Sequence, residues 1–509
     1  MGAFLKTRSL RLFLAAAFLF PAAGLRADEP GAFPADHRAL EKTISYAGME
    51  TFLRSVDGKG PVHVSVEGKT AQGRGVYLVH LTTASSGAKP AWKVLFYAQQ
   101  HGDEISGKDA LLYLVREIAE KPSLLPKDVD LWILPMMNPD GAEAGTRRNS
   151  AGTDLNRDHI ALEQPETQAL HRVVRRVRPD IAVDSHEFGR DPKSWRAKGW
   201  RKWPDITMDG LNNPLFDGGL VAAAARWVDE AAGAEAKAGH PFLRYWVGDA
   251  PPDGEQRHSA PDIDSGLNAF GMYGALSFII EAAAYEGAAP AGDLGNRVDA
   301  YLVLYRRFLS GGTHRSDDLA AIERARARSL PAFLPAHYLW VNPGPTVTEF
   351  PVVEIATGRV VKIATPNMMT EMAVKSSVPT PLGYAVVPAA AEAFRSLLEK
   401  HGIPFETLAA PRAVTAEDAT LLRVEEDFDD VYSRYGGRQI VRRGAAHRAE
   451  LAAGSLFVPL EGEAAVRAAL VLEPAQFYGL YQFPRFKALA GKDGLLPILR
   501  VVRPEGAKP

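Results

Sequence analysis

Short apolar runs and helical patterns alternate along the chain from about Tyr46 to Leu309. The runs are rich in Val, Ile, Leu and Phe, and uninterrupted runs of this kind are typical of strands that are buried on both faces. Because helical segments separate the runs, the sequence predicts an α/β fold with a mostly parallel or mixed twisted sheet flanked by helices. The predicted strands are Val76–Thr82, Trp92–Ala98, Val129–Leu134, Ile181–Ser185 and Ala275–Ile280, and the predicted helices are Lys108–Lys121, Glu166–Arg178, Leu220–Glu235 and Asn296–Ser310.

Two regions depart from this alternation. Between Glu187 and Asp264 the sequence is rich in Gly, Pro and Trp, and this stretch is interpreted either as a wall or lid of a ligand site or as a surface insertion packed by its own tryptophans. After about Ser329 the prolines cluster and β-like runs follow, with one helix predicted at Ala389–His401. The sequence therefore predicts a first domain over 28–320 and a smaller β-rich domain of unknown role over 330–509. The strands predicted in the second domain are Thr346–Ile355, Arg359–Ile363, Gly383–Val387, Leu421–Val424 and Ser455–Pro459.

Residues 1–27 have the layout of a secretory signal peptide. Lys6, Arg8 and Arg11 precede an uncharged apolar run over Leu12–Leu25, and small residues lead to Ala27. The run is shorter than the ~20 residues that a membrane-spanning helix needs, so we expect cleavage near Ala27 and an exported protein, periplasmic or secreted. An uncleaved N-terminal anchor is the alternative. No later segment of the sequence is apolar for long enough to cross a membrane, so no membrane span is expected after cleavage.

Charge and cysteine content exclude several kinds of protein. Lys and Arg number 59 against 61 Asp and Glu, and the resulting net charge of −2 argues against a nucleic-acid partner, which usually requires a basic excess. The chain has no cysteine, which excludes disulfide scaffolds, thiolate metal sites and cysteine nucleophiles. Any chemistry must therefore use His, Asp, Glu, Ser, Lys, Tyr or Arg.

Histidine and carboxylate side chains follow three of the predicted strands. His101 and Glu104 come after the second strand. His186 follows the fourth strand and Glu281 the last. Ligand crevices form at the carboxyl ends of strands in open α/β sheets, and two His with one Glu are a ligand set of catalytic zinc, which needs a further carboxylate to accept a proton from water. Glu187 is an alternative ligand to His186.

A polar turn over 145–158 carries Arg147, Arg148 and the run Asp154-Leu155-Asn156-Arg157. An Arg beside an Asn supplies a planar bidentate donor together with an amide, which suits the binding of a carboxylate. The alternative is an Arg that pairs with a neighbouring Asp on a solvated turn.

Together these motifs resemble the zinc carboxypeptidase family, the carboxypeptidase A-like metallopeptidases. The resemblance extends over Tyr46–Leu309 and rests on His-x-x-Glu, Asp-Leu-Asn-Arg, a strand-terminal His and a strand-terminal Glu, which occur in the family's order. The region after Ser329 resembles the C-terminal extension of some exported bacterial members. The resemblance implies a zinc-dependent metallocarboxypeptidase that hydrolyses the C-terminal bond of a peptide or peptide-like substrate with a free carboxylate.

The resemblance also implies how the metal is held. One zinc ion per chain would be bound by His101, Glu104 and His186. Asp154 matches the residue that accepts a hydrogen bond from the first ligand His and fixes its ring. Glu281 matches the general base that takes a proton from a zinc-activated water.

On the substrate side, the resemblance assigns four residues. Asn156 and Arg157 match the pair that binds the terminal carboxylate of the substrate. Arg147 best matches the residue that stabilises the oxyanion, and the adjacent Arg148 competes for that role.

One feature of the family pattern is missing. Members usually carry a Tyr about twenty residues before the general base; here Tyr273 is too near Glu281 and Tyr245 too far, while His258 is a candidate lid residue.

Other functions stay open. The alternatives are a zinc-dependent amidase, deacylase or cell-wall stem-peptide hydrolase on the same scaffold, and a non-catalytic binding protein.

Overall fold

The computed structural model describes residues 34–83, 92–312, 314–344, 347–425 and 438–504. The signal peptide predicted over 1–27 lies outside these ranges and stays a prediction. Within the described ranges, none of the helices combines the length and the apolar character needed to cross a membrane.

A mixed sheet forms the centre of the region before residue 330. Its strands in the order β1-β2-β4-β3-β5-β11-β7-β8 are hydrogen-bonded neighbours. Strands β4, β3, β5 and β11 are parallel, while the flanking pairs β1/β2, β2/β4 and β11/β7 are antiparallel, which confirms the predicted mixed sheet. The strands up to residue 284 are β1 (Val62–Lys69), β2 (Gly75–Thr82), β3 (Trp92–Ala98), β4 (Val129–Leu134), β5 (Ile181–Gly189), β6 (Trp200–Lys202), β7 (Ile206–Gly210), β8 (Phe242–Arg244), β9 (Val247–Gly248), β10 (Gln256–Arg257) and β11 (Leu276–Ala284).

Helices cover this sheet, and the four helices predicted from the sequence are confirmed as α2, α4, α6 and α8. The longest of these begins at Gly218 because the side chain of Asp217 accepts hydrogen bonds from two backbone N–H groups of its first turn, and it ends at Gly239 in the left-handed conformation. The helices are α1 (Tyr46–Val56), α2 (Ser106–Glu120), α3 (Pro139–Ala144), α4 (Pro165–Val177), α5 (Lys193–Ala197), α6 (Gly218–Ala238), α7 (Gly266–Ala269), α8 (Asp293–Ser310), α9 (Arg315–Ala327), α10 (Ala391–His401), α11 (Ala465–Leu472) and α12 (Pro484–Lys487).

The middle strands are buried on both faces, which explains their uninterrupted apolar sequences. Val94, Leu95 and Phe96 follow one another in β3, and each is fully buried. On one face the ring of Phe96 packs against Tyr305 and Phe308 of α8, with ring centroids 4.7 and 6.1 Å apart. Burying such a run stabilises the sheet by about 1.5–3 kcal/mol per large apolar side chain.

Strands β5 and β11 run further than the sequence predicts. They stay paired with each other over their whole lengths, whereas β3 ends at Ala98, which is paired with Ser185. His186 and Glu281 are therefore not strand-terminal; they lie within strands, opposite each other and one step beyond the end of β3. The backbone hydrogen bonds between the two strands hold both residues on a rigid frame.

The region after residue 330 is β-rich, as predicted, and its predicted strands and the helix α10 are confirmed. The prediction of one helix there is incomplete, because α11 and α12 are also helical. Six strands form a sheet in the order β18-β23-β17-β24-β19-β22. The strands are β12 (Phe333–Val341), β13 (Thr348–Glu354), β14 (Val360–Thr365), β15 (Met368–Met369), β16 (Glu371–Pro379), β17 (Gly383–Val386), β18 (Glu406–Thr407), β19 (Arg412–Glu417), β20 (Ala419–Glu425), β21 (Arg438–Arg443), β22 (His447–Leu451), β23 (Leu456–Pro459) and β24 (Ile498–Val502).

Two small sheets join this region to the insertion over 187–264. Strand β13 pairs with β6, and β15 pairs with β10. Strands of the insertion and strands of the C-terminal region are therefore hydrogen-bonded to each other in both sheets.

Candidate active site

Three side chains of metal-ligand type converge just past the end of β3. The ligand atoms of His101, Glu104 and His186 all lie within 4.8 Å of one another. Nδ1 of His101 is 2.7 Å from Oε1 of Glu104, and Nδ1 of His186 is 2.8 Å from Oε2 of the same carboxylate. Glu187, the alternative ligand, does not join them, because its carboxylate accepts a hydrogen bond from the backbone N–H of Ser106 at 2.9 Å.

A tight turn after β3 brings His101 and Glu104 to the same point. Gln99 begins it with a φ of +59°, and Gly102 packs directly on the start of α3. A Cβ at Gly102 would lie 2.1 Å from the carbonyl carbon of Gly141, so only glycine fits there.

The Nε2 atoms of His101 and His186 face carboxylates. Nε2 of His101 is 3.1 Å from Oδ1 of Asp154, and Nε2 of His186 is 2.9 Å from Oδ2 of Asp184. Nδ1 of each ring also faces a carboxylate, that of Glu104, so both nitrogens can carry protons; when a cation takes the place of the proton on Nδ1, the outer carboxylates keep the proton on Nε2. Asp184 has this contact although the sequence analysis assigned it no role.

This arrangement fits a metal ion. The two Nδ1 atoms are 3.0 Å apart and both face the carboxylate of Glu104. Two Nδ1 lone pairs and a carboxylate at such distances would repel one another unless protons or a metal cation lie between them. Burial opposes a charged ring, yet Asp184 and Glu104 outweigh it and hold the pKa of His186 well above its usual value. The same negative charge attracts a metal cation, so protons and metal compete for this nitrogen.

Of the two candidate arginines, only Arg147 lies at the cluster. Its Nε donates to Oδ2 of Asp154 at 3.0 Å, and its Nη1 is 3.5 Å from Oε1 of Glu104. Arg148 instead turns toward the backbone carbonyl of Gly152 at 3.3 Å. The geometry therefore separates two neighbours that the sequence could not.

Glu281 faces the same space. It is paired in register with His186, and only 8% of its surface is exposed. Burial raises the pKa of Glu281 to about 7, although the nearby His186 lowers it. A carboxyl group with a pKa near neutrality can both accept and return a proton.

Asn156 does not present its amide to an open cleft. Its Oδ1 accepts hydrogen bonds from the N–H of Gly266 at 2.7 Å and from Nε2 of Gln100 at 3.3 Å, and its Nδ2 lies 3.3 Å from Nε2 of His186. The residue is 5% exposed. Its amide oxygen is used within the protein, while Arg157 is half-buried and donates from Nη1 to the carbonyl of Asn156 at 2.7 Å.

Tyr245 lies in the insertion, and its spacing in the sequence does not match the family pattern. Burial raises the pKa of its phenol, the charge of Glu281 raises it further, and Arg257 and Arg157 lower it. Its backbone N–H donates to the carbonyl of Met208 in β7 at 2.9 Å.

His258, the candidate lid residue, is a packing residue. It is buried, its ring packs against that of Trp246 at a centroid distance of 4.2 Å and a tilt of 34°, and its Nδ1 is 3.0 Å from the carbonyl oxygen of Tyr245. This last contact holds the backbone at Tyr245 in place.

Comparisons with known proteins agree with the motifs. Residues 49–189 match the family model described as zinc carboxypeptidase. Carboxypeptidase 2 of Trichophyton tonsurans is 30% identical over 149 residues, which cover 28% of each chain. Carboxypeptidase 2 of Trichophyton equinum is 26% identical over 249 residues, which cover 46% of each chain. Carboxypeptidase M of Mus musculus is 31% identical over 150 residues, which cover 24% of this chain and 33% of that protein.

The matched region spans less than half the length of these curated relatives. Among solved structures, a metallo-carboxypeptidase from Burkholderia cenocepacia aligns with a TM-score of 0.42 and 22% identity over 52% of this chain and 68% of that one. The sequence matches confirm the resemblance drawn from the motifs, and the family model includes the three candidate metal ligands. Glu281 lies outside that model, so its place in the site rests on its position in the sheet.

Proposed function

Because the chain matches the zinc carboxypeptidase family over residues 49–189, we propose that it is a zinc-dependent metallocarboxypeptidase that hydrolyses the C-terminal bond of peptides. The observation that carries this proposal is the convergence of His101, Glu104 and His186 beside Glu281. Two histidines and one carboxylate leave a coordination position open for catalysis.

One ion per chain would be held by those three side chains, with Asp154 and Asp184 fixing the two rings. When bound, zinc acts as a Lewis acid that polarises a carbonyl and makes water acidic near neutral pH. Carboxylates that hold metal-binding histidines typically change the metal affinity by about 10- to 100-fold.

Glu281 is the proposed general base. Its carboxylate shares a face of the sheet with the ligand His186, because paired residues of neighbouring strands point the same way. It accepts the proton of the attacking water and delivers it to the leaving amine. Its pKa of about 7 suits both steps at neutral pH.

Arg147 is the proposed partner of the developing oxyanion. Its side chain is 24% exposed and lies against Asp154 and Glu104, so the guanidinium borders the site. Loss of one such donor typically slows a reaction by about 100- to 1000-fold.

Arg157 is the proposed anchor for the substrate's terminal carboxylate. Asn156 could join it only through Nδ2, because its amide oxygen already accepts from Gly266 and Gln100. The 5% exposure of Asn156 favours a second candidate, an amidase or cell-wall peptide hydrolase on the same scaffold, whose substrate would not depend on an Asn–Arg pair.

The experiment is mass spectrometry of a mixed peptide pool incubated with the zinc-loaded protein and with Glu281→Gln. We expect stepwise loss of single C-terminal residues, abolished in the variant while zinc stays bound. Glu286→Gln is the matched control, since the Glu286 side chain is 45% exposed and lies beyond the strand. Normal turnover by Glu281→Gln would refute its role as base, and internal cleavage or intact peptides with zinc bound would favour the amidase.

A further inference from the structure

A cavity of about 200 Å³ lies between the region before residue 330 and the C-terminal region. Its wall carries five arginines against two carboxylates. The arginines are Arg175, Arg178, Arg326, Arg328 and Arg467, and the carboxylates are those of Asp217 and Glu463. Such an excess of positive charge in one small space attracts anions.

The cavity is separate from the candidate active site. Arg178 lines it just before β5 begins, and Tyr273 lines it just before β11 begins. The cavity therefore lies at the amino ends of these two parallel strands. His186 is five residues beyond Ile181, the first residue of β5, and thus about 16 Å along the strand at about 3.3 Å per residue. A small anion in the cavity would not reach the metal ligands.

Both carboxylates in the wall already have partners. The side chain of Asp217 accepts hydrogen bonds from two backbone N–H groups at the start of α6, at 2.9 and 3.2 Å. Oε1 of Glu463 is paired with Nη2 of Arg178 at 2.9 Å, and both side chains are more than half exposed. Arg326 has a partner outside the wall, since its Nη1 lies 3.2 Å from Oδ1 of Asp180.

The other three arginines, Arg175, Arg328 and Arg467, have no ion pair with any residue that the structure describes. Each donates a hydrogen bond to one backbone carbonyl, at 2.8, 2.9 and 3.0 Å respectively. A carbonyl oxygen carries only a partial charge, and it uses one of the five N–H groups of a guanidinium. Three full positive charges therefore lack a full negative partner in the folded chain.

Arg467 is the most buried of the five arginines, with 9% of its surface exposed. Its guanidinium carbon lies 4.3 Å from the ring centroid of Tyr273, and its Nε is buried with no hydrogen-bond partner among the described residues. Burial lowers the pKa of Arg467; Tyr273 opposes this shift and the charge of Arg175 adds to it. Because an arginine stays protonated in spite of such a shift, its charge is best stabilised by a bound anion.

Arg175 and Arg467 meet at Gly402, one from α4 and the other from α11. A Cβ at Gly402 would lie 2.9 Å from Cδ and 3.3 Å from Nη1 of Arg175, and the carbonyl of Gly402 accepts the hydrogen bond from Nη2 of Arg467. Two guanidinium groups this close repel each other, and an anion bound by both removes the repulsion.

We propose that this cavity binds a phosphate group, held by Arg175 from the first region and Arg467 from the C-terminal region. A phosphate group carries close to two negative charges at neutral pH, which matches two arginines without an acidic partner. Guanidinium groups also suit phosphate because they donate pairs of parallel hydrogen bonds to its oxygens. The bound group would connect the two regions, and the C-terminal region would supply half of the site.

The phosphate group has two possible sources, inorganic phosphate or the monoester of a small organic molecule. The cavity volume exceeds several-fold the share of about 30 Å³ that one water molecule occupies in the liquid, so a phosphate group with a short organic part has room there.

The test is titration calorimetry of inorganic phosphate and of glycerol 3-phosphate into the full-length zinc-loaded protein at low ionic strength. We expect saturable binding of one phosphate group per chain, weakened about 10- to 100-fold in Arg467→Met. Tighter binding of glycerol 3-phosphate identifies an ester as the ligand, and equal or tighter binding of inorganic phosphate identifies the free ion. Absence of saturable binding of both compounds overturns the proposal, and so does equally tight binding of succinate, a dianion without a phosphate group.

Further variants locate the binding. Arg175→Gln changes a half-buried residue and is expected to weaken binding by a similar factor, so the test does not depend on the folding of Arg467→Met alone. Arg172→Gln removes an exposed arginine from the same helix, and it should leave the affinity within about twofold. Undiminished binding in both Arg175→Gln and Arg467→Met overturns the proposal.

Phosphate oxygens can also bind a metal ion, so Glu104→Gln serves as the control for the zinc site. Binding that survives in Glu104→Gln and is weakened in Arg467→Met lies in the cavity. Binding that is lost in Glu104→Gln and kept in Arg467→Met lies at the metal, and that result overturns the proposal.

Thermal unfolding provides a second readout. A ligand that binds only the folded chain raises Tm, so the better-bound phosphate compound should raise the Tm of the unchanged protein and of Arg172→Gln, and raise that of Arg467→Met much less. An equal rise in all three proteins overturns the proposal. Neither measurement requires turnover, so both outcomes are independent of the proposed peptidase function.

Discussion

Two histidine pairs lie on either side of Gln100, and they differ in what surrounds their rings. Nε2 of Gln100 donates to Oδ2 of Asp184 at 2.7 Å on the side of His186, and Oε1 of Gln100 is 2.9 Å from Nε2 of His159 on the other side. Both pairs have closely spaced rings, with centroids 4.6 Å apart for His101 and His186 and 5.3 Å apart for His159 and His171.

The two histidine pairs differ in whether carboxylates contact their rings. His186 contacts Asp184 and Glu104, which raise its pKa. His159 contacts His171 and Gln100, and burial lowers the pKa of His159 to about 3. Neither burial nor close spacing makes histidines a metal site; facing lone pairs and negative charge do.

The largest effect is expected from Glu104→Gln, which removes the carboxylate between His101 and His186. Two nitrogen ligands remain, so zinc content after dialysis should fall to roughly a tenth of an ion per chain or less, and peptide hydrolysis should disappear. Plasma emission spectrometry measures the metal. Asp103→Asn changes an exposed carboxylate one residue away and should retain full zinc content.

Asp184→Asn tests whether the carboxylate that contacts Nε2 of His186 is needed for metal binding by His101 and His186. The amide can no longer hold Nε2–H of His186 with a charged acceptor, so the zinc dissociation constant should rise about 10- to 100-fold in competition with a chelator. Asp158→Asn is the control on the other side of Gln100. Asp158 is as buried and accepts two backbone N–H bonds, so its change should reduce stability and leave zinc affinity alone.

The neutral histidines should be visible in the pH dependence of stability. Burial lowers the pKa of His401, whose ring centroid is 5.6 Å from that of His171, to about 3. Below about pH 6.5 the unfolded chain binds a proton there that the folded chain does not, so stability is lost as the pH falls from 6.5 toward 3. His401→Gln should flatten the slope of unfolding free energy by about 1.4 kcal/mol per pH unit in urea titrations. An unchanged slope would mean that this ring is protonated in the folded state.

The smallest effect on the metal is expected from His171→Phe. The ring lies in the carboxylate-poor pair and contacts His159 and the hydroxyl of Tyr273. Zinc affinity should stay within about twofold of the unchanged protein, because sites without shared partners behave independently. A tenfold loss would show that Gln100 transmits strain between the two pairs.

Local pattern predicted much of this site, and long-range pairing decided the rest. Apolar runs located the central strands, and His101, Glu104 and His186 were found because each follows such a run. The internal use of Asn156 depends on Gly266, far along the chain, and no local signal announces that contact.

The C-terminal region shows the same limit. Its strands were recognised from composition, but the pairing of β13 with β6 joins segments more than a hundred residues apart, and register between such strands is set by the folded structure alone. The packing of Phe350 in β13 against Trp195 follows from that pairing.

The position of β13 between β14 and β6 also limits how this protein can be dissected. A chain cut after Ala327 would lose β13 and leave β6 with unpaired backbone N–H and C=O groups. Such an edge recruits strands from other molecules. The shortened chain would therefore be expected to aggregate, so the two regions cannot be treated as exchangeable modules in expression or engineering.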